Sequence, residues 1–474
     1  MKRNFLTAVA VMVTAIFAGT TIAQAADISF SGQVKPRWEH GGQNDYNDKT
    51  SNNDAITTRI RLNATAKIDA NTSAFISLQS VGLWGGAGAG GGTRNATGGG
   101  GAEANDQLND VGVHQGFFTL KNFADTAVNM QVGRQEIVLD GHRLLGNTLW
   151  TQGAQSHDAI VLSHAHDNAT YVYGFSKGTE GGRLGGIVMS GSGLSTNVNS
   201  SAGDTNDINS HVFWANYKGI NGGDLSLYHV ILDNESTPNG GTMMTTGFRH
   251  KGKMYGLDYR AEYYYQYGQG GAYAQASDFQ AAYGAVERQD YDAFLAAIRV
   301  GKTFKNVMWS PTVTLWYDYL SGTDDDDIAD NDWGTFHTLF DTGHKFYGLM
   351  DNYLAAGGGN SGNLGLQDLA VKFKLKPREK WLIKADYHQF FTATNAGGNV
   401  AINRRVANLS SASDNDWGSE LDMSLHHKYS ASTSIVFGYS HYWTTDTFRA
   451  TQTRAAVNGS DDADWAYLQM DVHF

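Results

Sequence analysis

The sequence predicts an all-β protein, a transmembrane antiparallel β-barrel of about 18 strands with short periplasmic turns and long extracellular loops. Three observations predict it. Apolar and polar residues alternate along most of the chain, and short connections between these segments alternate with long ones. The first residues resemble an export signal. The sequence shows no heptad repeat and no alternation of strands with helices, so a helical core is not expected.

The N-terminal segment is a predicted signal peptide over residues 1–25. Lys2 and Arg3 precede an apolar run from Phe5 to Ala18, and small residues at Ala23 and Ala25 suit cleavage. A membrane anchor is the alternative, but the run is shorter than the roughly 20 residues that a spanning helix needs. Residues 26–474 are expected to form one barrel domain, which can cross a membrane only with strands.

The alternation is clearest over residues 55–69. Its two faces are, on the apolar side, Ile56, Ile60, Leu62, Ala64, Ala66 and Ile68, and on the polar side, Thr57, Arg59, Arg61, Asn63, Thr65, Lys67 and Asp69. Such a strand presents one face to lipid and the other to a wet interior. Comparable segments recur along the chain, among them 127–138 and 462–474.

The connections support the same topology. Short ones are predicted at 70–71, 376–379 and 429–431, and long ones at 85–110, 178–207, 268–290, 321–363 and 392–415. Short periplasmic turns and long external loops produce this pattern, with both termini on the periplasmic side. The last segment alternates up to Phe474, and a terminal aromatic residue resembles the assembly signal of Gram-negative outer-membrane proteins.

The composition excludes several function classes. The chain has no cysteine, which excludes disulfides and cysteine-ligated metal or haem groups. Its formal net charge of -12 argues against nucleic acid as a partner. No motif for catalysis stands in a suitable context, so we expect no enzyme, no cofactor and no metal site. The acidic run Asp324–Asp327 leaves a divalent-cation site as the alternative to a solvated loop.

The candidate functional residues are cations on the lumen side of the alternation. They include Lys35, Arg37, Arg59, Arg61, Lys67, Arg260, Lys372, Lys374 and Lys384. Two interpretations stand side by side. The cations could pair with lumen carboxylates such as Glu262 and Glu420 and hold the barrel's shape. They could instead form an anion-attracting constriction, for which the guanidinium fork is apt.

Three blocks of sequence resemble the alginate-export family of outer-membrane porins. They are Gly133-Arg134-Gln135 leading into Gly141–Gly146, the run Leu339–Asp351, and Gly418–Asp422. The resemblance implies an 18-strand barrel with an arginine-lined pore that passes an anionic polysaccharide or small anions. It adds Arg134 and Arg143 to the candidate pore residues. Strict alternation places Arg134 on the apolar side, so a bulge or strand end would have to turn it inward.

The expected function is an outer-membrane porin for passive transport of small anionic solutes, in a Gram-negative cell. The expected pore-lining residues are Arg37, Arg59, Arg61, Arg134, Arg143, Arg260, Lys372 and Lys384. Two alternatives stay open: an exporter of an anionic, alginate-like polysaccharide, and a sheath for a periplasmic redox partner. The expected partners are outer-membrane lipid, the transported solute and the barrel-assembly machinery.

Overall fold

A computed structural model of the chain describes residues 27–41, 54–84, 111–179, 183–184, 187–190, 193–194, 208–234, 241–270, 289–330, 332–353, 361, 363–394, 414–451 and 462–474. The predicted signal peptide and the loop predicted at 85–110 lie outside these residues. Signal-peptide cleavage therefore stays a prediction.

Long antiparallel strands form the barrel wall, where β-branched, aromatic and alternating polar residues favour extended backbone. The 18 wall strands are β1 (Asp27–His40), β2 (Ala55–Lys67), β3 (Thr72–Leu83), β4 (Gly112–Leu120), β5 (Asn129–Gln135), β6 (His157–His166), β7 (Ala169–Thr179), β8 (Ile208–Ile220), β9 (Gly223–Asn234), β10 (Gly241–Met254), β11 (Leu257–Gln269), β12 (Asp290–Thr303), β13 (Thr312–Leu320), β14 (Leu366–Arg378), β15 (Trp381–Phe391), β16 (Asp416–Lys428), β17 (Thr433–Trp443) and β18 (Ala463–His473).

The barrel closes between its first and last strands. Each wall strand pairs with the next, and β18 pairs with β1, placing Gln33 opposite His473. The amide of Gly32 donates to the carbonyl of Phe474 (2.7 Å). A Cβ added at Gly32 would lie 2.3 Å from the Phe474 ring, so the close approach requires glycine there. The prediction of a closed 18-strand antiparallel barrel is confirmed.

The two ends of the barrel differ as predicted. One end carries turns at 68–71, 121–128, 167–168, 221–222, 255–256, 304–311, 379–380 and 429–432, and the other carries longer connections, among them 136–156 and 321–365. We call the first the turn end and the second the loop end. One predicted boundary changes, because β5 stops at Gln135 rather than 138, where the chain turns into the barrel.

Several shorter elements lie outside the 18 wall strands. Short strands lie at Arg183–Leu184, Ile187–Ser190, Gly193–Leu194 and Asp332–Trp333, helices at α1 (Asp325–Asp330) and α2 (Asp446–Thr451), and 3-10 turns at Phe123–Asp125 and Gly343–Lys345. No helix among the described residues is long and apolar enough to cross a membrane.

The outer and inner faces of the wall have opposite character. Apolar side chains such as Ile60, Leu315 and Leu369 point outward and are half-exposed, as a lipid-facing band requires. Inward residues of the same strands are buried, and many are polar or charged, including Arg59 and Asp318. Because the lumen side chains are buried, something other than the wall must fill the interior.

Candidate functional site: the constricted lumen

Two connections of the loop end fold into the barrel and fill it. We call residues 136–156 loop A and the described residues between 321 and 365 loop B. The two loops pair with each other: Leu145 and Phe340 form a parallel bridge, and the Phe340 amide donates to the Leu144 carbonyl (2.9 Å). A Cβ on Gly146 would lie 2.2 Å from Thr342 Oγ1, so this crossing requires glycine. The lumen is constricted where the loops meet.

Loop A lies against the cations of β1 and β2. Lys35 Nζ donates to the Leu149 carbonyl (2.6 Å), and Arg37 Nη1 donates to the Trp150 carbonyl (2.8 Å). Arg59 Nη1 donates to the Thr151 carbonyl (3.2 Å). All three cations are at most 3% exposed. Their main acceptors are uncharged backbone oxygens, although Arg37 also pairs with Glu39, so loop A leaves most of this positive charge in place.

Arg61 continues the same row but has a charged partner. Its Nη1 lies 3.3 Å from Glu136 Oε1, at the first position of loop A. His114 and Asn147 contact the same carboxylate. Burial would raise the pKa of Glu136, but the hydrogen bonds from His114 and Asn147 and the charge of Arg61 hold the pKa below its ordinary value. Glu136 is therefore the anion that fixes the start of loop A.

Arg143 crosses from loop A to the opposite wall. Its Nη1 lies 2.7 Å from Asp318 Oδ2 on β13 as an ion pair, and its Nε donates to Glu262 Oε2 on β11 (3.2 Å). Its guanidinium also lies over the Phe346 ring, 4.0 Å from the centroid. Burial alone would lower the pKa of Arg143, but Asp318, then Tyr347 and Glu262, raise it above the ordinary value. This guanidinium is 2% exposed and is held by Glu262 and Asp318, so it links loop A to the wall and does not face a solute.

Loop B rests on two carboxylates of β16. Met350 donates its amide to Glu420 Oε1 (2.8 Å), and Leu349 donates its amide to Asp422 Oδ2 (3.2 Å). Gly348 has a φ of +84°, and a Cβ there would lie 2.5 Å from Glu420 Oε2. The left-handed turn and the absent side chain let the loop backbone reach the carboxylates.

An aromatic stack joins the wall and both loops. The Arg37 guanidinium lies 4.0 Å from the Trp150 ring centroid, and the His344 ring stacks on the other side of Trp150 at 4.1 Å. Asp351 accepts from His344 Nδ1 (2.9 Å). The order from wall to loop B is thus cation, ring, ring and carboxylate, which favours one arrangement of both loops.

A cavity of about 670 Å³ remains open at the turn end of the lumen. Its charged lining residues are Asp224, Arg249, Lys251, Lys253, Asp258, Arg260 and Arg299. Lys345 of loop B is exposed, and partial burial followed by repulsion from Arg260 lowers its pKa. Basic side chains outnumber acidic ones around this cavity, which gives it a positive potential.

The remaining predicted lumen cations lie on β14 and β15. Lys372 Nζ lies 3.2 Å from Asp386 Oδ2 and 3.0 Å from His388 Nε2, over the Trp316 ring. Lys384 lies opposite Lys374 in the register of these strands. Lys372 thus has a carboxylate partner, whereas Lys384 faces another cation.

The position of Arg134 is a correction to the sequence analysis. Arg134 lies opposite Asp158 in the register of β5 and β6, on the face that also carries Val132 and Ile160, and its Nη1 contacts Asp158 Oδ2 (3.1 Å). Ile160 is 40% exposed on this outer face. Because β5 keeps its regular register here, no bulge turns the side chain inward, and Arg134 lies outside the lumen.

The acidic run of loop B begins at the loop end and caps α1. Asp324 Oδ1 accepts the amides of Asp326 and Asp327, and Asp327 Oδ2 accepts the amide of Asp324. Burial, then Asp324 and Asp332, raise the pKa of Asp327 to about 6. Among the described residues, no three His, Asp or Glu side chains are grouped to hold a metal ion.

Sequence reasoning missed several residues of the lumen. Arg249 and Arg299 have lumen parity on β10 and β12, so the alternation itself could have found them. Lys345 and the loop A carbonyls carry no such signal, because they act through an inward fold of a loop. The length of the connection at 136–156 was the one available indication.

The three blocks that carry the family resemblance meet in the lumen. Gly141–Gly146 of loop A pairs with the block that starts at Leu339, and that block rests on Glu420 and Asp422. Segments far apart in sequence therefore build one contact between both loops and β16. The resembling blocks thus include the constriction together with parts of the wall strands β5 and β16.

The fold is similar to that of solved outer-membrane porins. The Pseudomonas aeruginosa OccD3 (OpdP) structure matches with a TM-score of 0.53 at 10% identity, covering 98% of this chain and 97% of that one. Acinetobacter baumannii OccAB1 matches at 0.56 and 12%, covering 94% and 96%. Pseudomonas aeruginosa OccK2 (OpdF), solved in complex with glucuronate, matches at 0.54 and 12%, covering 94% and 96%. At these identities the likeness concerns the fold alone.

No curated protein matches the sequence. The model of the alginate-export family matches residues 26–459, which include all of β1 to β17 and both inner loops. The family resemblance read from the sequence is thereby confirmed. With its closed barrel and its loop contacts built from the resembling blocks, this chain is a member of the alginate-export family.

Proposed function

We propose that the protein is a passive channel of the outer membrane for small anionic solutes and is not an enzyme. The observation that carries the proposal is the pair Arg260 and Arg299 in the lumen cavity. Both residues line the cavity, and their ion pairs with the wall carboxylates are long: Arg260 Nε lies 3.6 Å from Glu262 Oε1, and Arg299 Nη2 lies 3.8 Å from Asp318 Oδ2. Arg143 and Arg249 hold the same two carboxylates at shorter distances, so much of the charge of Arg260 and Arg299 is left to attract carboxylate or phosphate groups of a passing solute.

The row on β1 and β2 supports the same direction. Arg59 donates to the backbone carbonyl of Thr151, which satisfies the hydrogen bond without cancelling the charge. Cations that keep their charge lower the barrier for anions along the pathway and raise it for cations. The proposed pore cations are thus Arg37, Arg59, Arg61, Arg260, Lys372 and Lys384, together with Arg299 and Lys345.

The test compares the double variant Arg260→Gln/Arg299→Gln with Arg134→Gln, an outer-face control. Reversal potentials are measured in planar bilayers under a KCl gradient, and uptake of glucuronate, the solute present in the OccK2 structure, is measured in liposomes. We expect the double variant to lose anion preference at low ionic strength and to take up glucuronate more slowly. The loss should shrink near 1 M salt, where the screening length falls to about 3 Å.

The control decides the outcome. If the double variant forms a heat-modifiable barrel and its selectivity equals that of Arg134→Gln, the lumen arginines do not select anions and the proposal is wrong. A purified barrel that does not conduct at all would favour the sheath for a redox partner instead.

The family match favours a second candidate, export of an anionic polysaccharide. A polymer chain would need loops A and B to separate, whereas small solutes need only the cavity beside them. The variant Leu145→Cys/Phe340→Cys places two thiols at a bridged pair, in a chain without other cysteines. After oxidation, we expect glucuronate uptake to persist. Persistence of polysaccharide secretion in the tethered variant would contradict the need for loop separation.

A further inference from the structure

One sector of the turn end concentrates exposed apolar side chains. Turn residues of β10–β11 and β12–β13 expose large apolar side chains: Met254 (57%), Tyr255 (94%), Val307 (53%), Met308 (73%) and Trp309 (46%). The neighbouring turns at 167–168 and 221–222 are Asp-Asn and Asn-Gly. Exposed apolar side chains in this number indicate that the turns contact a membrane or another apolar surface, because their exposure to water is unfavourable.

Cations surround these apolar turns. The exposed basic residues of the sector are Lys253, Lys302, Lys305, Lys376, Arg378 and Lys380. Lys253 pairs with Asp258 (3.0 Å), but Lys305, Lys376 and Lys380 form no ion pair with any described residue. The chain as a whole has a net charge of -12, so this sector differs in sign from the rest of the molecule. We call residues 253–257, 302–309 and 376–380 the basic turn sector.

The sector is one continuous surface. Lys376 donates its amide to the Trp309 carbonyl (2.8 Å), which joins the turn at 304–311 to the end of β14. Asp258, at the start of β11, lies opposite Gly301 of β12 in the register, which brings the turn at 255–256 beside the turn at 304–311. Lys302 Nζ lies 5.5 Å from the centroid of the Phe304 ring, so cation and ring alternate along the rim.

We propose that the basic turn sector binds anionic phospholipid of the periplasmic leaflet. The sector lies where the wall strands leave the membrane, at the level of the headgroups. Tyr and Trp with flanking lysines suit this boundary, because the rings reach apolar chains while the ammonium groups reach phosphate oxygens. The charge complement and the position favour a lipid over a soluble acidic protein. This inference does not depend on which solute passes the lumen.

The test uses native mass spectrometry of the detergent-solubilised barrel with two probes of identical acyl chains, phosphatidylglycerol and phosphatidylcholine. The test variant is Lys305→Gln/Lys376→Gln/Lys380→Gln. The matched control is Lys67→Gln/Lys121→Gln/Lys218→Gln, which removes three exposed lysines at or near other turns of the same end. We expect the test variant to lose preferential phosphatidylglycerol binding, with affinity lowered by about tenfold or more, and the control to retain it.

Three further results bear on the proposal. Replacing the same three lysines by arginine should keep the binding, since the charge is kept. Equal binding of the two lipids to the native barrel, or equal losses in the test and control variants, would overturn the proposal. Binding of polyglutamate through these lysines without lipid preference would assign the surface to an acidic protein and would likewise overturn it.

Discussion

Loop A contacts two sides of the barrel, and the arginines at these two contacts have different acceptors. On β1 and β2, Arg37 and Arg59 donate to backbone carbonyls of loop A. On the opposite side, Arg143 of the loop inserts between carboxylates of β11 and β13. All three guanidinium groups are at most 2% exposed. The first contact satisfies donors and keeps most of the charge, whereas the second cancels the charge.

Buried arginines have two different roles in this barrel. A carbonyl acceptor satisfies the donor without supplying a countercharge, so Arg59 contributes its charge to the potential of the pore, whereas Glu39 offsets part of the charge of Arg37. Carboxylate acceptors turn the cation into a cross-link whose removal leaves unpaired charge. Burial and residue type are the same in both cases, so the acceptor decides the role.

The largest expected effect comes from Arg143→Met. The change leaves Glu262 and Asp318 buried without this partner, and we expect the free energy of unfolding to fall by about 3–5 kcal/mol. The measurement is denaturant unfolding of the folded barrel in detergent. The conservative variant Arg143→Lys keeps a cation between the two carboxylates and should lose less stability, and an Arg143→Lys variant as unstable as Arg143→Met would contradict the cross-link.

Arg59→Gln should cost less stability and change selectivity more. The lost hydrogen bonds to loop A carbonyls should lower the free energy of unfolding by about 1–3 kcal/mol. Because its charge is not cancelled, reversal potentials should move toward cation preference at low salt. Arg143→Met should lose more stability and shift the reversal potential less. Equal shifts of the reversal potential in both variants would contradict the different roles of the two arginines.

Trp150→Leu tests the stack that joins Arg37 to His344. Loss of the cation–ring contact should destabilise the loop contact by about 0.5–2 kcal/mol. Protease sensitivity of loop A on intact cells should rise, since the loop is held less firmly. Trp381→Leu, which removes a stack with His427 on the outer face, serves as the control and should leave loop A protected.

The smallest expected effect is at the loop end. Asp327 has a pKa raised to about 6 from its ordinary value of 3.8, so the native loop holds a proton that the unfolded chain releases. The stability of the loop should therefore fall as pH rises from about 4 to 6, and the entrance gains negative charge over the same range. Asp327→Asn should flatten the pH dependence of anion conductance between pH 5 and 7, and an unchanged profile would contradict the assignment.

The strands of the barrel wall could be predicted from the sequence far better than the loops inside the barrel. Alternation at Arg59 and Ile60 decides which side chain faces lipid, because a one-residue slip would expose a guanidinium to the membrane. The same rule placed Arg134 on the outer face, and the register of β5 and β6 shows no bulge that would turn it inward. Local pattern carries this information because strands impose a fixed period.

The constriction could not be read from such a pattern. Thr342 meets His142 across the lumen, and Met350 meets Glu420, through loops whose path depends on the completed barrel. No periodicity links residues so far apart. The family resemblance pointed to these blocks, but only the structure shows that they contact one another and that Arg143 is paired rather than open.

The seam between β1 and β18 has a consequence for the order of folding. Gln33 donates to Asp471 across 438 positions of sequence (2.8 Å), so closing the ring carries the largest loop-closure entropy of any strand pairing in the wall. Until β18 arrives, β1 presents an unpaired edge to any other chain. The enclosed contacts of loop A need both walls and must follow. We therefore expect formation of the seam to limit the rate of assembly, and Gly32→Val, which places a side chain against Phe474, to slow assembly rather than shorten the lifetime of the finished barrel.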